Sequence, residues 1–243
     1  MNIAGFKEII GYLIALLIVA GIGIGWVMTE LDADKEEVCL PDEKRAAMKL
    51  KAQLEAKRKA VELDPDNADL WNELGLHLRI MGEHKQSEAA YHKVLALSEA
   101  HQDKLKQALA YSELAVTYRL TDEPDKAEEM YRKALALDET LGNKEDMADH
   151  YSSLGMVYYT LGELDKAEEM CGNALMLHTA LDSRGGIAAD YANLGHIYKS
   201  LGNLDQAEEM WKNSLSLYQA MGHPHAEKVH QWLDILGLLR ADQ

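Results

Sequence analysis

Four aromatic residues, Trp71, Tyr111, Tyr151 and Tyr191, stand forty residues apart, since 111 − 71, 151 − 111 and 191 − 151 all equal 40. Each opens a phrase of one type: WNELGLHLRIMGE, YSELAVTYRLTDE, YSSLGMVYYTLGE, YANLGHIYKSLGN. A fixed period of about 20–50 residues marks a repeat array, in which no unit can bury its apolar face alone and each must stack on its neighbours. Inside the third unit, Tyr151, Leu154, Val157, Tyr158 and Leu161 fall at spacings of three and four and make one helical stripe. Ala167, Met170, Ala174, Leu175 and Leu177 repeat the pattern. Two helices are therefore expected in this unit, over 147–161 and 164–181, with Gly162 suited to the left-handed stop between them. Small residues recur where helices would cross closely, at Gly75, Ala115, Gly155 and Gly195 and at Ala127, Ala167 and Ala207. The expected fold is all-α.

Composition narrows the function. The 243 residues are 47% hydrophobic, ample for a core. They carry 41 acidic against 25 basic residues, a net charge of −16 that disfavours nucleic acid as a partner and fits a solvated, self-repelling surface. Of the two cysteines, Cys171 stands where neighbouring units have Tyr131 and Trp211, so it reads as a packed core thiol. Cys39 follows Glu36, Glu37 and Val38, which is not a lipoprotein-type cleavage site. No GxSxG, Walker loop, HExxH or CxxC occurs, so no enzyme, cofactor or metal centre is expected. The pairs Glu128-Glu129, Glu168-Glu169 and Glu208-Glu209 open the second helices, where carboxylates favour the positive end of the dipole. His223, His225 and His230 read as a loop leading into a terminal helix; metal binding there is the minor alternative.

Residues 9–28, IIGYLIALLIVAGIGIGWVM, carry no charge. Twenty residues at about 1.5 Å each span about 30 Å, the thickness of a bilayer core. Tyr12 and Trp26 stand near the ends, at the headgroup level. A single-pass anchor is expected; a signal peptide cleaved near Gly23-Ile24-Gly25 is the alternative. Gly21 and Gly25 form GxxxG, a weak signal for a homo-oligomer. The orientation expected places the repeats on the extracytoplasmic or periplasmic side, with the cytoplasmic side as the alternative. Lys35, Lys44 and Arg45 point to a cytoplasmic C-terminal side, but Glu30, Asp32 and Asp34 directly after the span, with a short N-terminal tail, favour an extracytoplasmic or periplasmic one. The bases from Lys44 to Lys59 form a solvated helix face paired with Glu43, Glu55 and Glu62, or touch anionic lipid if cytoplasmic.

Tyr111, Leu114, Tyr118, Ala127, Tyr131 and Ala134, with Tyr191, Leu194, Gly195, Tyr198, Ala207 and Trp211, follow one order, and Asp64-Pro65-Asp66-Asn67 precedes Trp71 as a turn. This pattern resembles the tetratricopeptide repeat, whose usual unit has about 34 residues. The 40-residue spacing resembles the family's long-repeat adaptor and scaffold proteins. The resemblance implies a right-handed α-solenoid of helix-turn-helix units after one N-terminal transmembrane helix. The segments expected are a tail (1–8), the span (9–28), an acidic linker (29–41) and the repeat domain (42–239). Within that domain come a half repeat (42–66), four repeats (67–106, 107–146, 147–186, 187–225), a capping helix (226–239) and then a tail (240–243). The first repeat departs most, with Leu78 for Tyr and Ser87 for Ala, and Gln231 replaces an aromatic in the cap.

By the same resemblance, the first helix of each unit lines a binding surface for a protein or peptide partner. The residues implied are Asn72, Arg79, Ser112, Arg119, Ser152, Tyr159, Asn193, His196 and Lys199. Arg79, Arg119 and Lys199 share one repeat position and would suit an acidic segment. The lysine–asparagine clamp for peptide carboxylates is absent. The function implied is a membrane-tethered scaffold for protein complexes. The alternatives are a self-assembling oligomer and, less favoured, a small-ligand or metal-binding module.

Overall fold

A computed structural model describes residues 42–241. The apolar segment 9–28, the linker and Cys39 lie outside the described residues, as do the expectations attached to them. Among the described residues no helix is long and apolar enough to cross a membrane.

Ten helices and no strand occur among the described residues. They are α1 (Asp42–Leu63), α2 (Ala68–Ile80), α3 (His84–Ala100), α4 (Lys104–Leu120), α5 (Pro124–Leu141), α6 (Lys144–Leu161), α7 (Leu164–Ala180), α8 (Arg184–Ser200), α9 (Leu204–Ala220) and α10 (His225–Ala241). From residue 57 onward they form one compact unit in which each helix from α2 onward packs on the next in sequence. The array is solenoid-like. In the third unit the first helix begins three residues earlier than the apolar stripe suggests, because Asn143 caps it by accepting from Asp146 N at 3.4 Å.

The turns keep a stricter time than the core. Residues 82, 102, 122, 142, 162, 182, 202 and 222, one every twenty, all have φ between 52° and 80°. Each follows a helix end, and the next residue's N–H reaches back to a carbonyl in the last turn, as Glu83 N to Leu78 O at 2.9 Å and Glu163 N to Tyr158 O at 2.9 Å. This is the six-to-one bond of a Schellman stop. Gly162 (φ 77°) takes it without strain, while Gln102, Asp122 and Asp182 adopt it despite a Cβ. The forty-residue unit is thus two equal helix-and-stop halves.

Packing follows the small positions. A Cβ on Gly195 would lie 2.3 Å from the indole nitrogen of Trp211, so the bare backbone is what lets the indole in. The main core runs from Ala68 to Ile197 through Tyr91, Leu114, Tyr118, Tyr131, Val157, Tyr158 and Cys171. A second cluster, Ala188, Ala207, Trp211, Tyr218, Val229 and Leu236, joins the last repeat to α10. Neighbouring units are also stitched by a bond that recurs every forty residues. Tyr118, Tyr158 and Tyr198 donate their hydroxyls to Glu88, Glu128 and Glu168 at 2.7, 2.8 and 2.7 Å. Burial first, and then the glutamate, push the Tyr198 phenol up to about 12. The first repeat's Leu78 fits this rule, since the residue thirty places before it is Met48 and not a glutamate.

Candidate protein-binding face

A binding face needs side chains that packing has not consumed. In α2 the buried residues Leu74, Gly75 and Leu78 define the core side, and the helical repeat places Asn72, Leu76, Arg79 and Ile80 opposite. The same holds in α4, where Ser112, Arg119 and Leu120 face away from Leu114, Ala115 and Tyr118, while Val116 is half-buried and packs against the core. On this free side Leu76 is 39%, Leu120 56% and Ile80 58% exposed. A hollow of about 230 Å³ opens beside them, lined by Val116, Arg119, Leu120, Asp122, Pro124, Val157 and Thr160.

Several of the polar residues implied by the sequence are engaged elsewhere. Arg79 pairs with the Glu113 carboxylate of the next repeat and its guanidinium also donates to Glu113 O at 3.4 Å, so it is not a free cation. The three-cation row therefore loses its first member. Arg119 and Lys199 are exposed, and their side chains have no hydrogen bond or ion pair among the described residues. Asn193 donates from Nδ2 to Ser152 Oγ at 3.1 Å, joining two adjacent first helices. Ser200 donates to the Tyr159 hydroxyl at 3.1 Å across the same pair. Ser112 turns back to its own helix, donating to Leu109 O at 2.9 Å, and Asn72 is half-buried with its Oδ1 unpaired. His196 lies between Trp211 and Trp232, with ring centroids 5.2 and 4.3 Å away. Burial, helped by Lys199, holds its imidazole below the usual range, so it packs the cap neutral.

What residue-type reading missed is the apolar half of the face. Leu76 and Ile80 recur as Val116 and Leu120, two positions four apart on successive first helices; Leu76, Ile80 and Leu120 are exposed, while Val116 is half-buried against the core. That off-stripe recurrence was the available signal. Elsewhere, Cys171 is fully buried and its thiol is pushed up to about 12, first by burial and then by Asp190, which makes it unreactive near neutral pH. His223 and His225 stack around Tyr218, and His225 begins α10 instead of ending the loop.

Residues 66–140 and 146–225 match the tetratricopeptide repeat family model, and 114–171 match a second model of that description. No curated protein matches the chain. Among solved structures, BtubC (BKLC) from P. vanneervenii is 22% identical with a TM-score of 0.60, over 84% of this chain and 92% of that one. A crystal structure of MamA is 25% identical with a TM-score of 0.58, over 74% of this chain and 95% of that one. A chain of the APC/C hetero-tetramer Cut9-Hcn1 is 22% identical with a TM-score of 0.61, over 80% of this chain and 34% of that one.

Proposed function

Because the chain belongs to the tetratricopeptide repeat family, we propose that it is a scaffold that holds a protein segment against the free face of its first helices. Repeats of this family mediate protein–protein interaction and complex assembly, and the fold is in general a non-catalytic one. The observation that carries the specific reading is the exposed apolar row Leu76, Ile80 and Leu120, beside the unpaired Arg119 and the hollow under it. Such a surface suits a segment with apolar anchors and an acidic residue placed for Arg119. The residues 9–28 supply a membrane anchor that raises the scaffold's local concentration, with the repeats on the extracytoplasmic side. From residue 57 onward the array winds as a right-handed solenoid of the long-repeat type, a reading that the forty-residue spacing supports.

Introducing charge on the row tests the reading. The double variant Ile80→Asp, Leu120→Asp is expected to lower partner recovery roughly tenfold or more in affinity capture from cross-linked, solubilised membranes. The control Met176→Asp, on the exposed outer side of α7, should recover partner as the parent does. Equal recovery by all three chains would move the site off this face.

A further inference from the structure

Two imidazole–carboxylate contacts lie between repeats, buried where an array needs only apolar packing. At the joint of the second and third repeats, His150 Nδ1 on α6 lies 2.8 Å from Asp138 Oδ2 on α5, an ion-pair contact without hydrogen-bond alignment. At the next joint, His178 on α7 meets Asp190 on α8 at 2.6 Å through Nδ1 and the exposed Asp149 at 3.3 Å through Nε2. Both Asp138 and Asp190 are fully buried. The positions are equivalent, because 138 + 40 = 178 and 150 + 40 = 190. Yet the residue types are exchanged: carboxylate before imidazole at one joint, imidazole before carboxylate at the other. The third repeat thus carries a histidine on each side and meets an aspartate on each side. At the first joint the same positions hold Ser98 and Ala110, both buried.

The chain's units are alike in length and core, so nothing in their apolar packing forbids stacking the wrong two together. The exchanged pairs do. If the second repeat met the fourth, Asp138 would face Asp190, two carboxylates taken out of water with no cation between them. If two third repeats met, His178 would face His150. Room for the ring is also position-specific, since a Cβ on Gly186 would lie 2.4 Å from the His178 ring. We propose that the two exchanged histidine–aspartate pairs fix the order of the repeats, seating the third only between the second and fourth and penalising any stacking that skips it, within one chain or between copies. Buried polar groups that specify register at a cost in stability are the best-attested use of such pairs.

The test excises one repeat from the otherwise full-length chain, which a nearest-neighbour array tolerates in principle. Removing 143–182 joins Gly142 to Ser183, keeps Gly186 and brings Asp138 against Asp190. Removing 103–142 joins Gln102 to Asn143 and brings Ser98 against His150. At pH 7 the first excised chain should melt at least about 6 °C below the second. Adding D138H to it should recover most of that gap by restoring the pairing native to the last joint. Equal melting of the two excised chains, or a D138H that changes nothing, overturns the proposal. Should neither excised chain fold, the full chain decides: D138H alone lowers the midpoint and D138H/H150D recovers it, whereas a double variant no better than the single one sinks the idea.

Discussion

Replacing Asp190 with alanine should destabilise the chain by about 3–5 kcal/mol at neutral pH, the range expected when one partner of a buried pair is removed. His178, only 5% exposed, would keep just the solvent-facing Asp149 as a side-chain partner. Asp190→Asn should cost less, because the amide keeps the shape and can still bond the ring. The pH dependence separates the charge from the shape. Burial holds the Asp190 carboxyl above the usual range, with the bonds from His178 and Ser152 pulling the other way. For a carboxyl raised in the folded state, the proton-linked part of its contribution is full below about pH 4 and is lost as pH climbs through the raised value. Chemical denaturation across pH should therefore show Asp190→Asn gaining on the parent as pH rises from about 4. A gap that is constant with pH would mean the residue acts by shape alone.

The second large effect lies at the C-terminal end. Trp211 is 1% exposed, packs edge-on against His196 and beside Trp232, and donates its indole N–H to Ala192 O at 3.1 Å. Gly195 is bare to admit it. Trp211→Ala should cost about 3–5 kcal/mol, the range for deleting a buried large aromatic whose neighbours only partly close the void. The array predicts where the loss is felt. Each repeat contacts only its neighbours, so hydrogen exchange should speed up in α8, α9 and α10 while α4 and α6 keep their protection. Uniform loss of protection along the chain would argue that the last repeat and cap are not a separable end.

How much of this was legible from residues alone depends on what a repeat displays. Core positions announce themselves, because Tyr151, Leu154, Tyr158 and their counterparts recur in type and burial follows from the helical spacing. Cys171 could be placed in the core the same way, through Tyr131 and Trp211. The histidine–aspartate pairs were hidden by that very procedure. Aligning 138 with 178 and 150 with 190 shows unlike residues, which looks like drift until the partner position is read with it. Arg79 failed for a related reason: its charge is met by Glu113 in the following repeat, a contact that comparison of like positions never tests. The turn rhythm of twenty was masked because Gln102, Asp122 and Asp182 hold the left-handed place that five glycines hold elsewhere. The apolar row on the free face was overlooked because leucines are taken for core by default, yet Ile80 and Leu120 lie more than half exposed.

The central claim is that the free face of the first helices, and not the outer side of the array, is where a partner sits. Site-specific photo-cross-linking in the full-length chain measures this most directly, with the reactive group placed at Leu120 in one chain and at Met176 in another. A covalent adduct to a different protein is expected from Leu120 and none from Met176. An adduct of two copies of this chain from Leu120 would replace the partner with self-assembly. Equal labelling from the two positions, or labelling from Met176 alone, would contradict it.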